Sequence, residues 1–173
     1  GKPKYVNKIK EHLIDIKEDG TFRLDISYFK FHRGFRMTSR KFHKLFGNPP
    51  RKRETEIALF HMDLAASIQS VIEEVLFKIT RSLAKEYDIP NLCMAGGVAL
   101  NCVANGKILA DKTFNDIWVQ PAAGDAGGAI GAALSVWHQE LNNLRKVNNN
   151  DSMKGSYLGP SYDQSDIEKE LSD

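Results

Sequence analysis

Apolar and polar residues alternate through residues 21–31, where Phe22, Leu24, Ile26 and Tyr28 are separated by Arg23, Asp25 and Ser27. A period of two predicts a strand with one buried face. Glu18-Asp19-Gly20 is a turn signal that folds it back on a partner strand over residues 12–17. A short helix is predicted over residues 38–46, and Asn48-Pro49-Pro50 ends it. The period then becomes helical. Leu64, Ile68, Val71, Ile72, Val75, Ile79 and Leu83 recur on one face of a long helix predicted over about residues 54–87, with Glu74 and Lys78 four apart on the other. Beyond Pro90, the apolar runs at residues 92–95 and 117–120 read as buried strands, each leading through glycines into a helical segment. The resulting β, α, β, α order predicts an α/β layer. Residues 142–154 are polar and asparagine-rich, as an exposed connector would be, and an acidic helical tail starts near Gln164.

Composition narrows the class without selecting a function. A chain of 173 residues can build one or two small layers around a core. Its net charge of +2 is too small to imply a nucleic-acid footprint. Cys93 and Cys102 form no CxxC pair or disulfide framework and read as small core residues in a reducing cytoplasm. No apolar run reaches the length of a membrane span, and no signal-like apolar region follows the amino terminus. The expected setting is therefore cytoplasmic, and Gly1 reads as a position inside a longer protein. The segment over residues 32–53, with Arg33, Arg36, Arg40, Lys41, Lys44, Arg51, Lys52 and Arg53 interleaved with Phe35, Phe42 and Phe46, is basic and aromatic. It suits a solvated face, a dock for phosphates or for another domain, or a nucleic-acid surface.

The candidate chemistry lies in the two glycine turns. Ala95-Gly96-Gly97-Val98-Ala99-Leu100-Asn101 follows the first strand, and Gly124-Asp125-Ala126-Gly127-Gly128 follows the second. A strand, a tight glycine turn and a helix amino terminus let backbone N–H groups approach an anion. Glycine inside a helix costs roughly 1 kcal/mol against alanine, so Gly127, Gly128 and Gly131 require close approach of a ligand or of neighbouring backbone. Asp125 is the acidic side chain of the second turn: spacing alone suits a helix cap, and a hard oxygen metal ligand is the alternative. Asn101 either contacts a ligand or satisfies a buried helix turn. His61 and Asp63, two apart on the long helix, read as structural.

The same residues carry a resemblance. Leu92-Cys93-Met94-Ala95-Gly96-Gly97-Val98-Ala99-Leu100-Asn101-Cys102-Val103-Ala104-Asn105-Gly106 and Val119-Gln120-Pro121-Ala122-Ala123-Gly124-Asp125-Ala126-Gly127 closely resemble the O-carbamoyltransferases of the nodulation and antibiotic-tailoring type. Gly1-Lys2-Pro3-Lys4-Tyr5, Asp63-Leu64-Ala65-Ala66-Ser67-Ile68-Gln69 and Leu158-Gly159-Pro160-Ser161-Tyr162 are also similar to that family.

The resemblance implies a partial actin-like ATPase domain, of the superfamily that includes ribonuclease H-like folds, sugar kinases and chaperone ATPases. Residues 1–154 would be the later part of the carbamoyl-transfer domain, and 155–173 the connector toward a carbamoyl-adenylating region. In such enzymes carbamoyladenylate is made from ATP and carbamoyl phosphate, and its carbamoyl group passes to a hydroxyl of a small-molecule or sugar-derived acceptor. Gly96, Gly97, Val98, Asn101, Gly124, Gly127 and Gly128 would cradle the adenylate, and Asp125 would be a ligand of iron, manganese or magnesium. The family's other metal ligands are a His-x-x-x-His pair, which this sequence lacks. The remaining lobe and the adenylating domain would be partners within one polypeptide, so the chain alone is expected to be inactive. No residue of these strings stands out as the general base. Two alternatives share the superfamily: a sugar- or acetate-kinase-like phosphotransferase, and a non-catalytic ATP-binding regulatory module.

Overall fold

Residues 1–147, 150–157 and 159–172 are described in the computed structural model of the chain. Leu158, which opens the carboxyl-terminal string of the resemblance, and positions 148 and 149 of the expected connector lie outside them. The architecture is mixed α/β: six helices and two two-stranded sheets among the described residues. In chain order these are α1 (Val6–His12), β1 (Ile14–Ile16), β2 (Phe22–Leu24), α2 (Arg40–Phe46), α3 (Leu59–Tyr87), β3 (Asn91–Met94), α4 (Cys102–Ala110), β4 (Asp116–Val119), α5 (Gly127–Ser135) and α6 (Gln164–Leu171). They fall into two compact units, Gly1–Leu92 with Cys102–Asp116, and Cys93–Asn101 with Ile117–Asp173.

The hairpin of the first unit forms as the turn signal predicts. β1 and β2 are antiparallel, with Ile14 opposite Leu24, Asp15 opposite Arg23 and Ile16 opposite Phe22. Its second strand is shorter than the alternation suggests. The Asp25 carboxylate accepts from the Ser27 N–H (2.9 Å) and hydroxyl (2.6 Å), and this local turn diverts the chain into a 3-10 turn over Ile26–Tyr28. The expected buried face shrinks accordingly: Tyr28 is buried, Leu24 half-buried, and Phe22 and Ile26 are exposed. Helix α2 matches expectation, with the Ser39 hydroxyl accepting from the Phe42 N–H and Gly47 closing the helix in a left-handed conformation. Tyr28, Phe42 and Phe46 join Ile9, Leu13 and Val71 in one core cluster.

Helix α3 starts at Leu59 rather than near Glu54. The Thr55 N–H and hydroxyl both bond the Lys52 carbonyl, holding the preceding residues in a turn, and the His61 ring nitrogen accepts from the Ala58 N–H. Its buried line also differs from the apolar stripe. Asp63, Ser67, Val71, Val75 and Thr80 are buried, whereas Ile68 and Leu83 are exposed. Asp63 and Ser67 are covered because the amino-terminal segment lies across them with matching donors. The Lys2 N–H (2.7 Å) and the Lys4 ammonium (2.7 Å) engage the Asp63 carboxylate, and the Tyr5 N–H reaches the Ser67 hydroxyl (3.0 Å). Buried polar groups satisfied in this way carry no hydrophobic signal. Glu74 and Lys78 do not pair with each other: Glu74 binds Lys10 (2.8 Å) and Lys78 reaches Glu18 (3.4 Å). Further along, Glu73 pairs with Lys107 (2.6 Å) and Arg81 with Asp111, joining α3 to α4.

These carboxylates fix the acid limb of stability. Hydrogen bonds from Arg81 and Thr113 lower the Asp111 pKa from 3.8 to about 2, and bonds from the Ser27 hydroxyl and N–H and from Lys41 lower Asp25 equally. Asp63 is lowered first by Lys4 and then by the Lys2 N–H. A depressed folded-state pKa gives stability that is complete above the unfolded value and is lost as pH falls through the folded one. The melting temperature of the chain should therefore change little above about pH 5 and fall between about pH 4 and pH 2. Asp111→Asn should flatten part of that fall in a pH series of thermal melts. A decline centred near pH 6 would instead assign the transition to histidine.

The second unit contains the glycine turns. β3 pairs with β4, and their hydrogen bonds ascend together along both segments, as in parallel strands: the Gln120 N–H donates to the Met94 carbonyl (3.0 Å) and the Gly96 N–H to the Ala123 carbonyl (2.7 Å). Neither strand is buried as expected; exposed and half-buried residues alternate along both. Cys93 and Cys102 are exposed free thiols rather than core residues. Cys93 falls on the outward register of β3, and Cys102 lies off the Ala104 and Ile108 face that α4 buries. Helix α5 is apolar on all sides yet buries no residue, and it continues as a π-helical turn over Val136–Glu140. Asp163 and Asp166 cap α6 reciprocally, at 2.9 and 3.1 Å. Among the described residues no helix is long and apolar enough to cross a membrane.

Candidate active-site cleft at two glycine turns

Both turns begin where a strand ends, which is where open α/β sheets place their ligands. The first turn starts at Gly96 with φ +96° and ψ 161°, a conformation essentially confined to glycine. The chain then makes a 3-10 turn over Gly97–Leu100 before α4. The second runs from Pro121 into α5, and the carbonyls of Gly124 and Asp125 accept from the N–H groups of Gly127 and Gly128, each at 3.1 Å. The Gly96 N–H joins the turns by donating to the carbonyl of buried Ala123.

Between them is a cleft of about 510 Å³. Of the residues singled out in the sequence, Gly96, Gly124, Asp125, Gly127 and Gly128 line it. Gly97, Val98 and Asn101 occupy the adjoining 3-10 turn and its end, outside the lining; Val98 is exposed and the Asn101 N–H donates to the Val98 carbonyl (3.0 Å). Ala95, Gln120, Ala122 and Ala123 complete the wall. Gln120 directly follows β4, a position that points it out as a candidate wall residue. Its side-chain oxygen accepts from the Ala122 N–H and braces the second turn. Volume alone does not mark the cleft, since one of about 480 Å³ lies beside the β1–β2 hairpin. The backbone chemistry does.

The glycines have different physical reasons. At Gly127 a β-carbon would sit 2.2 Å from the Ala122 carbonyl oxygen, so neighbouring backbone requires glycine there. At Gly96, Gly124 and Gly128 a β-carbon would meet nothing within 4 Å, so these positions face open space. Among the described residues, the N–H groups of Gly124 and Asp125 donate to no acceptor, leaving two adjacent donors at the rim. The Asp125 side chain is exposed and likewise makes no hydrogen bond among the described residues. The capping role that spacing suggested is not taken up: Ala126 occupies the N-cap of α5, without a side-chain bond.

A single free carboxylate suits one coordination position of a hard cation. Among the described residues no three His, Cys, Asp or Glu side chains cluster to hold a metal, so these residues do not make a complete centre. Three of the five histidines are engaged locally: His43 with the Thr38 hydroxyl (2.8 Å), His61 with the Ala58 N–H (3.1 Å) and His138 with the Asn143 carbonyl (2.8 Å). Asp63, held by Lys2 and Lys4, is structural as expected.

Comparison with known proteins extends this picture. The profile described as the carbamoyltransferase N-terminus matches residues 1–134. An uncharacterized protein of Synechocystis is 54% identical over 99% of this chain, and the match spans 28% of that relative's length. Nodulation protein NolO of Bradyrhizobium diazoefficiens is 51% identical over 44% of the chain and 14% of its own length. A tRNA N6-adenosine threonylcarbamoyltransferase of Streptococcus suis is 32% identical over 57% of the chain and 30% of its own length. With more than half of its residues under one family profile, the chain belongs to the carbamoyltransferase N-terminus family.

Proposed function

We propose that this chain is part of a longer O-carbamoyltransferase that moves a carbamoyl group from carbamoyladenylate, made from ATP and carbamoyl phosphate, to a hydroxyl of a small-molecule or sugar-derived acceptor. Residues 1–154 would be the later portion of an actin-like transfer domain, with 155–173 leading toward the adenylating region. The observation that carries this reading is the cleft between the two glycine turns, where the second turn sets two adjacent backbone donors beside a carboxylate, all without hydrogen-bond partners among the described residues. Family membership supports carbamoyl transfer in general.

In this reading the Gly124 and Asp125 N–H groups hold the adenylate phosphate, and Gly96 and Gly128 keep side-chain bulk out of its path. The acceptor oxygen adds to the carbamoyl carbon. The bond from that carbon to the phosphate oxygen breaks, its electron pair leaves on AMP, and the hydroxyl proton passes to a base. Preorganised backbone donors favour a leaving group that gains charge in this way. A carboxylate beside a phosphate is repulsive unless a cation stands between them, which favours Asp125 as one ligand of an iron, manganese or magnesium ion completed by other parts of the polypeptide. Such an ion, when bound, supplies Lewis-acid polarisation.

The test follows nucleotide products from the longer polypeptide given ATP, carbamoyl phosphate and a divalent metal. AMP and pyrophosphate appearing only with carbamoyl phosphate are the expected result. ADP formed without it would assign a phosphotransferase of the kinase type. Nucleotide binding without turnover would assign a regulatory module.

A further inference from the structure

Residues 26–53 contain nine of the chain's 24 Lys and Arg residues and none of its 22 Asp and Glu residues. So one-sided a run is unusual on a surface of mixed charge, because like charges repel unless something neutralises them. The fold gathers part of the run around two contiguous clefts in the first unit, of about 440 and 500 Å³, which share Ser27, Lys30 and Ser39. Arg33 lines one, and Arg36 and Arg40 line the other.

The frame beneath these cations is fixed. The loop from Lys30 to Met37 is stapled at its base by the Phe29–Thr38 bridge and by the bond from the Lys30 N–H to the Met37 carbonyl (3.0 Å). The Ser39 hydroxyl donates to the Ser27 carbonyl (2.9 Å), and Phe42 is buried behind it. Asp25 is the nearby carboxylate, and Lys41 claims it at 3.1 Å while lying over the Tyr28 ring. Among the described residues no carboxylate lies within ion-pair reach of Lys30, Arg33, Arg36 or Arg40.

We propose that these clefts form an anion site for a phosphoryl group on a small molecule, with Arg36 and Arg40 as the forked donors and Lys30 as the point charge. Guanidinium groups match phosphate oxygens two at a time, and Lys adds charge without that geometry. Cleft size favours a small ligand, and a net charge of +2 with one local patch disfavours a nucleic-acid track. The site shares no residue with the glycine-turn cleft.

Calorimetric titration of the 173-residue chain with pyrophosphate, inorganic phosphate and AMP tests this, with a 20-nucleotide single strand as competitor. Pyrophosphate binding should weaken about tenfold or more in the Arg36→Ala, Arg40→Ala double variant. It should weaken less in Lys30→Ala and stay unchanged in Lys85→Ala. Arg36 and Arg40 are exposed and unpaired among the described residues, so the double variant should melt at the parent temperature. AMP binding more tightly than phosphate would identify a nucleotide as the source of the phosphoryl group, and equal binding would identify free phosphate. Titrations unchanged by the double variant, no heat from any probe at millimolar concentration, or preference for the oligonucleotide would each overturn the proposal.

Discussion

Replacing Asp125 by alanine in the longer carbamoyltransferase proposed above should reduce carbamoyl transfer by about 100- to 1,000-fold, a loss of the size seen when a site loses a principal source of charge stabilisation. Formation of AMP and pyrophosphate from ATP and carbamoyl phosphate should continue, because that step belongs to the separate adenylating region in the proposed scheme. The side chain is exposed, caps no helix and makes no hydrogen bond among the described residues, so its removal should leave the melting temperature unchanged. Asp125→Asn separates charge from size: it keeps the shape and an oxygen, and should lose most of the transfer with the carboxylate. Normal transfer by Asp125→Ala, measured with the parent's metal and acceptor, would remove Asp125 from the reaction.

A second large effect is expected at Gly96, where the backbone conformation and the cleft impose the same requirement. With φ +96° and ψ 161°, any side chain there is strained by about 1–3 kcal/mol. A β-carbon at this position would meet no protein atom within 4 Å, so the added bulk enters open space in the cleft rather than the core. With the cleft as the proposed adenylate site, Gly96→Val should therefore lower the apparent affinity for adenylate by about 10- to 100-fold and lower the melting temperature modestly. Gly97→Ala is the matched control: its φ is not in the left-handed region, its surroundings are open, and it lies outside the lining. Equal losses from both substitutions would mean that the 3-10 turn as a whole, rather than the cleft, holds the ligand. A folded Gly96→Val protein with unaltered affinity would exclude the cleft as the adenylate site.

Features written in contiguous residues are legible before any folding is known. The β1–β2 hairpin was set by Glu18-Asp19-Gly20, and α2 by Ser39 at its start and Gly47 after its end. The two strand–glycine–helix units and the family were set by strings that needed no folding to be read. Features that depend on residues far apart in the chain emerge with the fold. The buried line of α3 runs through Asp63 and Ser67 because donors about sixty positions earlier satisfy them, and an apolar pattern cannot register a satisfied polar group. Cys93 and Cys102 are exposed because pairing register and helix rotation, rather than residue type, set which side faces out. Among the glycines, the fold distinguished Gly127, forced by the Ala122 carbonyl, from Gly96 and Gly124, which face open space. It also showed Asp125 left uncapped at the rim, and gathered scattered cations of residues 26–53 around two clefts. Local hydrogen bonding and backbone preference act over a few residues and are legible in order. Burial, charge pairing and cleft shape arise from surfaces that meet only when the chain has folded.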